Sequence, residues 1–161
     1  MLMAMTVKVD GMETISMMLQ DLGDKAQGIA SRGLFEGAGI MADEIRKEAG
    51  RIRTGPGASR ESARYATPEE KKIVMDAAAG IAKFKKNGAE VDTSIGFRNA
   101  GYASMNGRTV PIPKIVNAIN SGTSFMHKQP FVRKAANRAK GQASEAIRAS
   151  IEADVNAIIN K

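Results

Sequence analysis

The stretch IVNAINSGTSFMHKQPFVRKAA, residues 115–136, decides how this chain folds, because it joins a short apolar run to a long one. The short run ends at Ser121-Gly122, and after a polar loop Pro130-Phe131 begins a helix. Proline suits the first turn of a helix, since the N–H that it lacks would have no partner there. Apolar residues then recur in steps of three and four at Val132, Ala136, Ala139, Ala143, Ile147, Ile151, Val155 and Ile158. This period predicts a helix of roughly 30 residues, about 45 Å long, which must pack on its own domain or on a neighbouring subunit.

Composition and charge narrow the class of protein. The 161 residues are 43% hydrophobic, enough for one core, so we expect a single domain over residues 1–161. The chain has no cysteine, which excludes disulfides, zinc–thiolate sites and thiol catalysis. No apolar run approaches the roughly 20 residues of a membrane span, and the N-terminus does not resemble a signal peptide, so we expect a protein made and kept in the cytoplasm. The formal charge of +7 permits contact with nucleic acid or an acidic partner.

Two periodic patterns divide the first fifty residues. Met5, Val7 and Val9 alternate with polar residues and predict a short strand, and an amphipathic helix is expected over about residues 10–22. A second helix is expected from about residue 24 to 49, with an apolar stripe on one side at Ala30, Leu34, Ala38, Met41 and Ile45. Four glycines lie inside it, Gly28, Gly33, Gly37 and Gly39. Each costs about 1 kcal/mol relative to alanine, so together they either weaken the helix or let another backbone approach closely.

The next segment, residues 50–66, reads GRIRTGPGASRESARYA. It combines three glycines, a proline and four arginines with a single acid, Glu61, and it has little periodicity. This composition predicts a mobile arm at about 50–66. Thr67-Pro68-Glu69-Glu70 then supplies a cap, a first-turn proline and early acids, which predict a helix that ends by Gly80.

The clearest local signal is a hairpin over residues 81–97. Asn87-Gly88 favours a two-residue turn whose central residues need positive φ. The expected cross-strand pairs are Phe84 with Val91, Lys85 with Glu90, and Lys83 with Asp92. A shared buried face would then comprise Ala82, Phe84, Val91, Thr93, Ile95 and Phe97.

A second hairpin is expected at Asn106-Gly107. Its returning strand would carry Val110 and Ile112 and would end at Pro113, which cannot donate a ladder hydrogen bond. The two hairpins and the helical segments together predict an α+β fold, a small antiparallel sheet packed by helices with a long C-terminal helix.

Residues suited to catalysis are sparse. The one histidine, His127, lies in the polar loop, and acid–base or metal chemistry would need partners placed around it. No serine stands in a G-x-S-x-G motif. We therefore expect no catalytic, cofactor-binding or metal site, and a protein that is not an enzyme.

Basic residues concentrate around the start of the long helix. Between residues 128 and 140 there is no acid, and five cations stand there: Lys128, Arg133, Lys134, Arg138 and Lys140. They form either a solvated helix flank or a positive rim that faces nucleic acid or an acidic partner. The residues expected to face DNA are Lys128, Lys134, Arg138 and Lys140, and Arg51, Arg53, Arg60 and Arg64 could extend the rim. No aromatic residues alternate with these charges, so base stacking is not expected.

Several of these features occur in an order shared with a known family. A Thr54-Gly55 loop follows an Ala/Gly-rich helix, a hairpin ends in Ile-Gly-Phe at residues 95–97, and then come Ile-Asn-Ser-Gly-Thr at 119–123 and Gln-Pro-Phe-Val-Arg-Lys-Ala-Ala at 129–136. In this order the chain resembles the neck and tail-component proteins of long-tailed bacteriophages and their prophages, in which a Gly-Thr loop precedes a Pro-Phe-Leu/Val-Arg-x-Ala helix start. The family often has Glu where Asn120 stands, and the helix after Pro68 looks like an insertion.

The resemblance implies a structural virion protein that assembles as a homo-oligomeric ring at the phage head–tail junction or tail top. Its role would be that of a neck, tail-completion, head–tail joining or tail-terminator protein, assembled in the host bacterial cytoplasm. The expected partners are copies of itself, other neck and tail proteins, and passing DNA contacted without sequence specificity. The runner-up is a basic DNA-binding protein and a distant third is a small hydrolase. A salt series would separate the first two, because phosphate contacts weaken steeply with salt whereas an apolar interface does not.

The expected assembly interface combines residues from the stretch 115–136 and from the arm. Its residues are Gly122, Thr123, Pro130, Phe131, Arg133, Arg51, Arg53 and Arg60. Gly122 can adopt positive φ, and Thr123 can form local hydrogen bonds. Phe131 is either an anchor into the domain's own core or a plug into the next subunit.

Overall fold

The computed structural model describes residues 2–7, 25–55, 63–77, 80–81, 84–87, 90–97 and 100–160. Within these ranges lie four helices and six strands in an α+β arrangement, as the sequence predicts. In chain order they are β1 (Leu2–Val7), α1 (Lys25–Gly50), α2 (Pro68–Asp76), β2 (Gly80–Ile81), β3 (Lys85–Asn87), β4 (Glu90–Gly96), β5 (Tyr102–Met105), β6 (Arg108–Pro111), α3 (Ile112–Ser121) and α4 (Phe131–Ile159). The helix expected over residues 10–22 lies outside the described residues.

Helices α1 and α4 form an antiparallel pair that supplies much of the core. Near one end Arg32 of α1 meets Asp154 of α4 at 2.8 Å, and near the other end Glu48 meets Arg138. The apolar stripe of α1 is buried at Leu34, Ala38, Met41 and Ile45, as its spacing predicts. The 29-residue helix α4 buries Phe131, Val132, Ala135, Ala139, Ala143 and Ile147. Beyond Ile147 its apolar positions are half-buried or exposed.

Two of the four interior glycines of α1 lie against α4. A Cβ added at Gly37 would lie 2.5 Å from Ile147 Cγ1 and 3.1 Å from the carbonyl oxygen of Ala143. A Cβ at Gly33 would lie 2.9 Å from Ile151 Cγ1. At Gly28 and Gly39 nothing lies within 4 Å. Close packing is therefore the correct alternative for Gly33 and Gly37. At Gly28 and Gly39 no other part of the protein comes close enough to require a glycine.

Strand β4 is the central strand of the larger sheet, with β1 on one side and β2 and β3 on the other. Its alternate residues Val91, Thr93 and Ile95 are buried, as is Phe97 just beyond it. This face packs against α1. The predicted buried face is thus confirmed along β4, and Phe84 is half-buried beside it.

The predicted register of the first hairpin is wrong by two residues. Lys85 pairs with Asp92 and not with Glu90, and Asn87 pairs with Glu90 as part of β3. A shift of two keeps every side chain on its own face, so burial of one face could not distinguish the two registers. Ala82 and Lys83 lie outside the described residues.

The second hairpin has the expected turn but a shorter returning strand. Asn106 and Gly107 both have positive φ, 49° and 74°, as a two-residue turn requires. Strand β6 ends at Pro111, and Ile112 begins α3, which corrects its assignment to the strand. Proline in the first helical turn is tolerated, and four residues at helical spacing turn inward: Ile112, Ile115, Val116 and Ile119.

The predicted arm at 50–66 is anchored at both ends. Gly50 is the last residue of α1, Ile52 and Ala66 are buried, and Gly55 N–H donates to Ala66 O at 3.0 Å. Two buried apolar side chains and backbone hydrogen bonds thus hold residues 50–55 and 63–66 against the domain, and the mobility of the arm stays a prediction. Residues 56–62, which include Arg60, lie outside the described residues.

Candidate functional site

Three chain segments that are distant in sequence meet beside the N-terminus of α4. They are residues 52–55, 63–66 and 122–129, and we call their meeting point the junction. Thr54 bridges to Ala66 and Arg64 bridges to Met126, both in parallel orientation. Arg64 N–H donates to Phe125 O and His127 N–H donates to Arg64 O, each at 2.9 Å. Backbone hydrogen bonds therefore join the polar loop, residues 122–129, to the arm, residues 50–66.

The loop itself begins with the positive-φ glycine that the sequence predicts. Gly122 has φ of 76°, and a Cβ there would lie about 3.1 Å from the backbone of Lys128. Thr123 N–H donates to Met126 O at 3.1 Å, and Thr123 Oγ1 accepts from Phe125 N–H at 3.2 Å. Both the conformation and the local bonding expected of Gly122 and Thr123 are present.

Side-chain amides fix the end of this loop and the start of α4. Pro130 stands at the cap position of α4 and offers no side-chain acceptor, but Asn120 Oδ1 accepts from Val132 N–H at 3.2 Å. Gln129 N–H donates to Ile119 O at 2.8 Å. Its side chain accepts from Arg53 N–H at 2.7 Å and donates to Arg53 O at 3.0 Å. Helix α3, the loop and the arm are thus joined at the point where α4 starts.

Aromatic side chains project from the outer side of the junction. The rings of Tyr65 and His127 lie 4.7 Å apart at 36°. Phe125, the neighbour of buried Met126, is 76% exposed, and Tyr65 is 36% exposed. We call Tyr65, Phe125 and His127 the aromatic patch. The histidine that sequence reasoning left without a role is one of its members.

Phe131, by contrast, is buried. It is 3% exposed and contacts Phe97 edge to face, with ring centroids 6.3 Å apart. Within this chain it is therefore an anchor into the domain's own core. The alternative, a plug into a neighbouring subunit, would require an exposed ring.

A cleft of about 300 Å³ opens next to the junction. It is lined by Glu48, Arg51, Ile52, Gln129, Phe131, Lys134 and Arg138, and we call it the basic cleft. Glu48 is 3% exposed, and its Oε1 accepts hydrogen bonds from both Arg51 and Arg138. Two guanidinium groups from distant parts of the chain are therefore held on one buried carboxylate.

A second ion pair connects α2 to the junction. Arg64 donates two hydrogen bonds to the Glu70 carboxylate, at 2.7 and 2.8 Å, and Thr67 N–H donates a third at 2.8 Å. Burial acts to raise the pKa of Glu70, but the hydrogen bonds from Arg64 and Thr67 outweigh it, and the pKa lies below its ordinary value. The hydrogen bond to Glu70 raises the pKa of Arg64 in turn. Both groups are charged at neutral pH, and they fix the segment that carries Tyr65.

The predicted site residues divide among these features. Arg53, Gly122 and Thr123 belong to the junction, and Pro130 and Phe131 connect it to α4. Arg51, Lys134 and Arg138 line the basic cleft. Arg64, which was expected to extend the basic rim, is half-buried and paired with Glu70. The other predicted cations that the structure describes are exposed without an ion pair there: Lys128, Arg133 and Lys140.

Sequence reasoning missed Glu48, Gln129, Glu70, Tyr65 and Phe125. A signal existed for Glu48, because it occupies a position three residues after Ile45 on the apolar stripe of α1. A carboxylate at a buried position needs a cation or several donors. That signal predicts a partner, but not which of the chain's 24 lysines and arginines provides it.

In the parts of the chain that the structure describes, no three His, Asp or Glu side chains group closely enough to hold a metal ion. None of the described helices has the length and apolar character needed to cross a bilayer.

Comparison with known proteins gives no match to any protein-family model, curated protein or solved structure. The features that bear on function are the junction, the aromatic patch and the basic cleft.

Proposed function

We propose that this protein is a structural protein that assembles with copies of itself into a ring at the head–tail junction or tail top of a long-tailed bacteriophage. It would act there as a neck, tail-completion or tail-terminator protein, by binding and not by turnover. The aromatic patch on the junction is the observation that carries the proposal. The junction includes the loop of residues 122–129. This loop lies within residues 115–136, the stretch that resembles the phage family.

Exposed aromatic side chains on a fixed backbone suit a protein–protein interface. Phe125 leaves most of its ring in water, and burying a side chain of this size against a partner contributes about 1.5–3 kcal/mol. Aromatic residues are enriched among the few that dominate binding energy. Because backbone hydrogen bonds already order the junction, docking loses little conformational entropy there.

The proposed partners are copies of the chain, the adjoining neck and tail proteins, and passing DNA contacted without sequence specificity. The virion would be the place of function, and the host bacterial cytoplasm the place of assembly. The order of motifs in the sequence supports this part of the proposal.

The test is the mass of the assembled particle, measured by light scattering on a size-exclusion column and by negative-stain imaging. We expect the wild-type chain of 17.1 kDa to form closed particles of several subunits. Phe125→Ser should shift them to smaller species. Tyr102→Ser is the matched control, because Tyr102 is 71% exposed but lies on β5, outside the junction. A wild-type protein that stays monomeric at high concentration, or a Phe125→Ser variant that assembles like the control, would refute the proposal.

A DNA-binding protein is the second candidate, and the distribution of charge favours it. Cations that have no ion pair with any residue the structure describes gather at one end of the α1–α4 pair, at Lys128, Arg133, Lys134 and Lys140. If DNA binding is the main activity, affinity for a DNA duplex should fall steeply with salt while the protein remains a monomer. If ring assembly is the main activity, the particles should persist at the same salt concentrations.

A further inference from the structure

The two arginines of the basic cleft use only part of their hydrogen-bonding capacity. Each donates through Nη1 to Glu48, and the side chains of Arg51 and Arg138 are 59% and 54% exposed. A guanidinium carries five N–H donors, so most of them remain for a ligand. Lys134 lines the same cleft and has no ion pair among the described residues. Three cationic groups thus face about 300 Å³ of open space.

Glu48 positions these cations without competing for their ligand. Its carboxylate is almost fully buried and lies beneath the two guanidinium groups. Two cations held side by side would repel each other, and the shared carboxylate offsets that repulsion. The exposed edges of Arg51 and Arg138 then present paired donors, which match the oxygens of a phosphate or carboxylate.

Further cations near the start of α4 favour a ligand in which negative charges repeat. Lys128, which precedes the helix, and Arg133 and Lys140 on it are all exposed. Arg133 and Lys140 are seven residues apart and share one face of α4, roughly 130° around the helix from the face that carries Lys134 and Arg138. Cations therefore surround the first turns of α4, and a long polyanion can contact more than one of these faces.

We propose that the basic cleft is a phosphate-binding site that holds one backbone phosphate of a nucleic acid. The contacts carry no base recognition, so binding does not depend on sequence. The proposal names the site of the non-specific DNA contact and rests on that part of the proposed function, but it does not depend on ring assembly. Different residues form the aromatic patch and the basic cleft, so either can be changed without altering the other.

The first test compares two arginines of α4. Fluorescence anisotropy with a short labelled DNA duplex of mixed sequence measures affinity over a salt series. Arg138→Gln should weaken binding about tenfold at low salt and reduce the salt slope by about one, since one phosphate contact is lost. Arg148→Gln is the matched control, because Arg148 is exposed, has no ion pair among the described residues and lies ten positions further along the same helix. Equal losses in the two variants would overturn the proposal.

The second test uses the buried carboxylate. Glu48→Gln removes one negative charge and so raises the net charge of the cleft by one. General electrostatic attraction alone therefore predicts tighter DNA binding. A site that depends on Glu48 to hold Arg51 and Arg138 predicts weaker binding, by several-fold, in spite of the added charge. Tighter binding by a folded Glu48→Gln variant overturns the proposal. If that variant does not fold, Arg51→Gln replaces it and should weaken binding as Arg138→Gln does.

A third test distinguishes a nucleic acid from an acidic protein as the ligand. Labelled poly-glutamate replaces the DNA duplex in the same titration. We expect DNA to bind more tightly and with the steeper salt dependence. Tighter binding of poly-glutamate, with loss in Arg138→Gln, would assign the cleft to an acidic protein and refute the nucleic-acid proposal.

Discussion

Replacing Gly37 by alanine should destabilise the protein, although alanine is the better helix former. The new Cβ would lie 2.5 and 2.6 Å from Cγ1 and Cδ1 of Ile147, and 3.1 Å from the carbonyl oxygen of Ala143. Ile147 is itself buried, so it has little space into which to move. Overpacking of a core costs about 1–3 kcal/mol, and the helix propensity of alanine returns about 1 kcal/mol. The net loss is then up to about 2 kcal/mol, or a fall in Tm of up to about 8 °C for a chain of this size.

Gly39→Ala makes the same chemical change two residues away and should have the opposite sign. No atom lies within 4 Å of a Cβ at Gly39, so only the gain in helix propensity remains, about 1 kcal/mol. Thermal unfolding followed by circular dichroism at one protein concentration measures both variants. Ile147→Ala should also cost less in the Gly37→Ala background than in the wild type, because the added methyl fills part of the space. A stabilised Gly37→Ala variant would refute the close approach of α1 and α4 at this point.

Two other predictions concern buried groups near the junction. Phe131→Ala should lose about 3–5 kcal/mol and lower the Tm of dilute monomer, since the ring is buried against Phe97; an unchanged monomer Tm would contradict the core position. The Glu70 carboxyl has a pKa below its ordinary 4.5, so it stabilises the fold above that pH and loses this contribution as pH falls further. Urea midpoints over this acidic range should fall less steeply for Arg64→Gln than for the wild type, and equal slopes would place the acid sensitivity elsewhere.

Patterns with a fixed period were predictable from sequence. Along β4 the alternation of Val91, Thr93 and Ile95 places these residues on the buried face that the structure shows. Of the stripe predicted for α4, Val132, Ala139, Ala143 and Ile147 are buried, whereas Ala136 is half-buried and its neighbour Ala135 is the buried residue. The register of the first hairpin was not predictable, because the same faces are buried when Lys85 pairs with Asp92 as when it pairs with Glu90. Only the turn distinguishes the two registers, and Asn87 belongs to the strand.

The candidate site was predictable only in its parts. Positive φ at Gly122 follows from residue type and position, and the cations of α4 are plain in the sequence. What the sequence does not contain is which parts meet. Glu48 and Arg138 are 90 positions apart, and Arg53 and Gln129 are 76 apart. Contacts at such separations are set by how the helices and segments pack, and no local pattern encodes them.

The pairing of α1 with α4, and of β1 with β4, joins the beginning of the chain to its second half. Such contacts form slowly, because the chain must lose the entropy of closing a long loop before they can stabilise the fold. During synthesis the apolar stripe of α1 leaves the ribosome about 100 residues before Ile147, the residue that packs over Gly37. At roughly 5–20 residues per second this delay is about 5–20 s. For that time Leu34, Met41 and Ile45 have no α4 to cover them, so the nascent chain depends on chaperones or on low local concentration to avoid aggregation.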